Sequence, residues 1–129
     1  MTVALDAKVL IAHLDARDPL HGRAAELLVS AAGQRLIAHP LTIAEVIVGS
    51  ARLYSTDERL EIIRKMGVET IEMDAGAPAR LAELRASISH RLPDCCVLDT
   101  ATQYRAALAT LDERLAKVAR ALGLPCWNG

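Results

Sequence analysis

Apolar positions along this chain come in short bursts of two kinds, and the two kinds alternate. Val3 to Leu5 is an unbroken apolar run ending at Asp6, which suits a short buried strand. Ala7 to Leu14 follows, with Val9, Leu10 and Leu14 on one side, the spacing of a helix. Asp18-Pro19 marks a turn. His21 to Ala32 reads as a second helix, closed by Gly33 at a position that favours a left-handed residue. Leu36 to Ala38 is a second strand, stopped by Pro40, and Leu41 to Leu53 a third helix. Ser55 and Thr56 cap a fourth helix that runs to Met66, with Gly67 after it. Val68 to Ile71, interrupted by Glu69, is a weak strand suited to a sheet edge, and Gly76 to His90 is a fifth helix with Leu81, Leu84 and Ile88 facing in. Pro93 opens a sixth helix that reaches about Tyr104. Ala107 to Leu111 is then a strand ending on Asp112, Asp112 to Leu122 the last helix, and Leu124 to Trp127 a final short strand.

Strands alternating with helices predict an α/β fold, a short parallel sheet with helices on both faces. In such sheets ligands bind beyond the carboxyl ends of the strands. Asp6 and Asp112 each stand at such an end, and Asp94 starts the helix that leads back into the second of these strands, eighteen positions before Asp112. A helix and a returning strand between Asp94 and Asp112 bring both acids to one edge. Glu45 is the only charged residue between Arg35 and Arg52, and Ile43, Val46, Ile47 and Val48 surround it. A carboxylate in so apolar a helix is costly unless it is paired or bound to a cation. Asp6, Glu45, Asp94 and Asp112 together read as a site for one or two hard cations.

Each acid also has a plainer reading. Asp6 and Asp112 begin helices, where Asp is a preferred N-cap. Asp94 falls in a first turn, where acids are ordinary, and Glu45, three after Thr42, fits a capping box. Asp99 stays outside the set or in its outer shell, because it lies five residues after Asp94, about 140° around the helix.

The chain has 129 residues, enough for one domain with a full core, so residues 1–129 are read as a single domain. Apolar residues make up 52% but aromatics only 2%, so the core is aliphatic and stacking platforms for bases are absent. A net charge of −1 excludes a protein that holds nucleic acid mainly through a basic field, but not a nuclease that meets phosphate through a metal. Cys95, Cys96 and Cys126, with His13, His21, His39 and His90, show no zinc-ligand spacing and read as small buried thiols and surface imidazoles. Adjacent cysteines do not suit a disulfide framework, so a reducing cytoplasm is expected. No apolar run suits a membrane helix, and the first residues do not suit a signal peptide.

With those residues in view, the chain resembles the PIN-domain ribonucleases, in particular the VapC-type toxins of VapBC toxin–antitoxin pairs. The resemblance rests on ALDAKVLIAHLD at the start, LTIAEVIVGSAR in the middle, LPDCCVLDTA, and ALATLDERLAKVARALG near the end. Asp6, Glu45, Asp94 and Asp112 match the four family acids in order, and Thr110 matches the small hydroxyl residue two before the last. The resemblance implies a PIN-like three-layer sandwich and an endoribonuclease dependent on Mg2+ or Mn2+. It also implies a homodimer and a VapB-type antitoxin that blocks the site. One residue departs from the pattern: Lys8 stands two after the first acid, where Ser, Asn or Thr is usual. An alternative is therefore a catalytically silent PIN-like binding module in which Lys8 takes the place of a cation. A receiver-type signalling domain would need adjacent acids after its first strand, and Ala7 follows Asp6 here.

Overall fold

The computed structural model describes residues 1–127. Its elements run β1 (Thr2–Leu5), α1 (Ala7–Leu14), α2 (His21–Ser30), β2 (Arg35–Ala38), α3 (Pro40–Gly49), α4 (Thr56–Lys65) and β3 (Val68–Thr70). They continue with α5 (Ala77–Ser87), α6 (Leu92–Gln103), β4 (Ala107–Ala109) and α7 (Glu113–Ala121). The four strands form one parallel sheet in the order β3-β2-β1-β4. The expected final strand shrinks to a parallel bridge from Cys126 to Leu108, held by Leu108 N–H to Pro125 O and Trp127 N–H to Leu108 O, both 2.8 Å.

β1 lies inside the sheet, which explains its unbroken apolar run: both of its faces are covered. Val3 and Leu5 point to the face carrying Leu10 of α1, Ile43 and Val46 of α3 and Ile63 of α4. Ala4 and Ile37 point the other way, toward Ala101 of α6, and Leu108 meets Leu98 of α6 and Leu115 and Ala119 of α7. Helices thus cover the sheet on both sides in three layers. Small side chains set some of the spacing. A Cβ on Gly49 would stand 2.7 Å from Ile11 Cδ1, so a side chain there would have to push the end of Ile11 aside where α1 meets α3.

Several boundaries differ from expectation for local reasons. α3 starts one residue earlier, because His39 Nδ1 accepts the Leu41 N–H at 3.0 Å and Pro40 occupies the first turn. It stops at Gly49 rather than Leu53, where the buried Ser50 hydroxyl donates to Val46 O at 2.6 Å. α2 and α5 end at Ser30 and Ser87, each with a serine hydroxyl donating to a carbonyl three residues back. The α6–β4 connection is tight because Arg105 adopts φ 51 and Ala106 N–H reaches back to Ala101 O at 2.9 Å, a left-handed helix stop made without glycine.

α6 is fastened to α5 by a guanidinium. Arg80 Nε donates to Asp99 Oδ1 at 2.9 Å and Arg80 Nη2 to Asp99 Oδ2 at 3.2 Å. The same guanidinium forks onto Asp74 at 2.9 and 2.6 Å. Asp99 is only 8% exposed, and removing its partner would leave a buried carboxylate without an ion pair. Arg80→Ala is expected to lower the melting temperature by several degrees, and Arg80→Lys to recover only part of that, since an ammonium cannot fork onto two carboxylates. An unchanged melting curve for Arg80→Ala would contradict this role.

Candidate functional site

The order β3-β2-β1-β4 makes the chain leave β1 toward β2 on one side while β4 lies on the other. Beyond the carboxyl ends of β1 and β4 is the crevice that such a reversal opens. Asp6 sits there, the first residue after β1, with its N–H continuing the ladder to Ala109 O at 3.0 Å. It is 7% exposed. Asp6 is the N-cap residue of α1 by position, yet its side chain caps nothing. Its Oδ2 instead accepts the Thr110 hydroxyl at 2.7 Å, across from the end of β4.

Thr110 is bound in both directions, since its Oγ1 also accepts the Asp112 N–H at 3.0 Å. One hydroxyl therefore fixes the first acid to the backbone of the fourth. Asp112 is exposed and does cap: its Oδ1 accepts the N–H groups of Arg114 and Leu115 at 2.9 and 3.3 Å. Asp94 lies in the first turn of α6, and Glu45 in the second turn of α3; both are partly buried. The capping-box reading of Glu45 does not hold, because His39 caps α3 and the box of this chain is Ser55 with Glu58.

Asp6, Glu45 and Asp94 each feel the charge of at least one other acid of the set. Burial raises the carboxyl pKa of Asp6 above its usual value, the Thr110 hydroxyl draws it back, and the charges of Asp94 and Asp112 push it up again. Glu45 is raised by burial first and then by Asp6 and Asp94. Asp94 is raised mainly by burial, with His90 drawing it down and Asp112 raising it. Asp99 contributes to none of these shifts; it faces Arg80 and lies beside His39 on another side of α6. Lys8 is exposed, forms no ion pair among the described residues, and has no part in the shifts of the acids.

Among the described residues, no three His, Cys, Asp or Glu side chains form a group that could hold a metal ion as they stand. The donor set nevertheless fits a hard cation: the donors are all oxygens, and burial, with neighbouring acids, raises Asp6, Glu45 and Asp94 above the usual carboxyl range. A small hard ion such as Mg2+ keeps several waters and takes one or two carboxylates plus substrate phosphate, so it needs no closed protein cage. The thiols are unsuited to the work. Cys95 and Cys96 are buried, and burial pushes Cys96 up to about 11.

The sequence reading missed three neighbours of this centre. His90, taken as a surface imidazole, has both ring nitrogens buried and without a hydrogen-bond partner, and its field reaches Asp94. Arg91 and Arg114 draw Asp94 down, and Arg91 acts on Glu45 as well. Their positions three before Asp94 and two after Asp112 were the available signal. A groove of about 400 Å³ opens beside Thr110, lined by Arg23, Leu27, Ser30, Arg120 and Trp127.

The raised carboxyl pKa values make the metal-free protein a weaker fold at neutral pH. A folded-state pKa above the unfolded one gives stability that is present below the unfolded pKa, about 4, and is lost as pH rises through the folded value. Glu45→Gln and Asp94→Asn are therefore expected to raise the melting temperature of the metal-free chain at pH 7, with the gain fading toward pH 3. A lower melting temperature for both at pH 7 would contradict the crowding. Thr110→Val removes the hydroxyl that draws Asp6 down, so the Asp6 carboxyl pKa, followed by carbon-13 NMR, is expected to rise further. An unchanged value would show that Thr110 does not act on Asp6.

Comparison with known proteins places this geometry. A family model described as "PIN domain" matches residues 3–121. Among solved structures, the fold is similar to VapC20 of Mycobacterium tuberculosis, a sarcin–ricin loop cleaving toxin, with TM-score 0.76 and 13% identity over 90% of this chain and 94% of that one. It is also similar to VapBC2 of Rickettsia felis, bound to a promoter DNA fragment, with TM-score 0.70 and 17% identity over 98% and 97% of the two chains. VapBC-1 of nontypeable Haemophilus influenzae gives TM-score 0.70 and 15% identity over the whole of both chains. No curated protein sequence matches the chain. With the family model spanning nearly all of the described fold, this chain belongs to the PIN-domain family.

Proposed function

We propose that this chain is a metal-dependent endoribonuclease and the toxin component of a type II toxin–antitoxin pair. The observation that carries the reading is the set of four carboxylates beyond the sheet's carboxyl edge, three of which are raised by burial and by the charge of neighbouring acids. Asp6, Glu45, Asp94 and Asp112 would hold Mg2+ or Mn2+, directly or through water. A bound divalent cation supplies Lewis-acid chemistry there, acidifying water and offsetting negative charge on the phosphate.

The remaining work falls to the chain itself. Thr110 orients the Asp6 carboxylate by donating to Oδ2. Asp112 spends Oδ1 on the start of α7, which leaves Oδ2 free of that cap. Asp94 and Glu45 close the far side from α6 and α3. Asp99 acts only by holding α6 in place through Arg80.

The partner in this reading is a VapB-type antitoxin. An arginine from such a partner is drawn to clustered carboxylates as strongly as a cation is, since a guanidinium–carboxylate fork is among the stronger hydrogen-bonded pairs. Two of the similar structures are VapBC pairs, from R. felis and H. influenzae. A homodimer belongs to the same reading, supported by apolar side chains left open on and after α3: Val48 is 76% exposed and Tyr54 38%. A cytoplasmic location fits the free thiols, and among the described residues no helix is long and apolar enough to cross a membrane.

The test is RNA cleavage by the purified chain with Mg2+ or Mn2+, with and without excess chelator. Cleavage is expected only with the metal. Asp94→Asn and Asp112→Asn should each abolish it in a folded protein, while Asp99→Asn keeps most of it. Full activity in chelator, or equal loss at Asp99 and Asp94, would contradict the assignment.

A further inference from the structure

Two arginines stand at the acid centre without pairing with it. Arg91 is the N-cap residue of α6, and its carbonyl accepts the N–H groups of Asp94 and Cys95 at 3.1 and 3.2 Å. Arg114 lies in the first turn of α7, and its N–H donates to Asp112 Oδ1 at 2.9 Å. The backbone of each is thus tied to an acid-bearing turn. Both turns belong to the same edge of the sheet, because α7 leaves the carboxyl end of β4 and α6 runs back from that end to feed β4.

Both side chains are exposed, and neither forms an ion pair among the described residues. Four other arginines do close on a carboxylate, Arg17 on Asp15, Arg35 on Glu69, Arg64 on Glu61 and Arg80 on Asp74 and Asp99, whereas Arg91 and Arg114 act on Asp94 without closing on it. Arg91 and Arg114 remain open where carboxylates are densest. A guanidinium fork matches a phosphate as well as it matches a carboxylate. The acid cluster repels an RNA backbone, and two cationic forks at its rim offset that repulsion where the phosphodiester must sit.

We propose that Arg91 and Arg114 grip the RNA backbone by its phosphates, one on each side of the scissile bond. Arg91 serves the Glu45 and Asp94 side, and Arg114 the Asp94 and Asp112 side. The assignment rests on the ribonuclease reading above and adds to it the two residues that carry substrate affinity.

The experiment uses a short fluorescein-labelled single-stranded RNA and the Glu45→Gln chain in Mg2+, so that binding is read without cleavage, by anisotropy across a salt series. Arg91→Ala and Arg114→Ala are each expected to weaken binding about tenfold and to flatten the log–log salt dependence by about 0.7, one phosphate contact on a single strand. Lys117→Ala, exposed on α7 and coupled to none of the acids, should change neither quantity. Arg91→Lys and Arg114→Lys should keep the salt dependence and recover part of the affinity. In the otherwise unaltered chain, the arginine variants should raise KM more than they lower kcat.

Unchanged affinity and salt dependence in the alanine variants would overturn the proposal, as would an equal effect of Lys117→Ala, which would indicate a diffuse field. Variants that bind RNA normally but lose an acidic partner peptide would make these arginines partner contacts instead. If the unaltered chain cleaves RNA while the arginine variants bind as before, only this proposal falls. A chain that neither cuts nor binds RNA in Mg2+ or Mn2+ sinks the ribonuclease reading along with it.

Discussion

Crowding of like charge at the carboxyl edge of the sheet is the constraint around which the molecule is arranged. β1 is buried on both faces and ends at a carboxylate that is almost wholly enclosed. Burial alone would drive Asp6 toward its neutral form, and three more acids stand around it. The fold answers in two ways. The Thr110 hydroxyl donates to Asp6 directly. Three of the four acids also lie at helix starts, Asp6 at α1, Asp94 at α6 and Asp112 at α7, where the peptide dipoles favour negative charge. Only Glu45, in the second turn of α3, lacks that support.

The same residue type meets two fates on one helix. Asp94 and Asp99 are five residues apart on α6. Asp99, turned toward α5, is neutralised by Arg80. Asp94 is partly buried beside the like charge of Asp112, with His90 and two arginines acting on it that do not close on it. The first arrangement spends a carboxylate on holding the helix in place. The second leaves a carboxylate unsatisfied, which weakens the empty protein and leaves ionic attraction available for a cation and a phosphate. Loss of stability at a site and capacity to bind there are two aspects of one electrostatic fact.

Most of the fold was legible because period and burial agree in a small parallel sheet. The strand runs and the edge position of β3 follow from local sequence, and Gly33 is left-handed as expected, with φ 86, although α2 itself ends three residues before it at Ser30. The misjudged points are those where a side chain does something its type seldom does. His39 caps a helix, Arg105 takes a left-handed conformation that glycine usually supplies, and Ser50 ends α3 by bonding back to Val46. The last strand is one bridge long because its register with β4 depends on packing across the sheet. At the site, spacing and strand ends pointed to the four acids. Nothing in the spacing could show that Asp112 caps its helix while Asp6 does not, since that depends on where Thr110 places its hydroxyl. The rim arginines were equally hidden, because charge on an exposed helix start is ordinary until the acids beside it are known.

The central claim is that the four carboxylates form a site for a hard divalent cation. Its most direct measurement is a Mn2+ titration of the RNA-free protein followed by electron paramagnetic resonance, in the unaltered chain, in Asp94→Asn and in Asp99→Asn. The account predicts saturable Mn2+ binding in the unaltered chain, its loss in Asp94→Asn and its retention in Asp99→Asn, with Mg2+ displacing the bound Mn2+. Absence of saturable binding in the unaltered chain, or binding that survives Asp94→Asn unchanged, would contradict it.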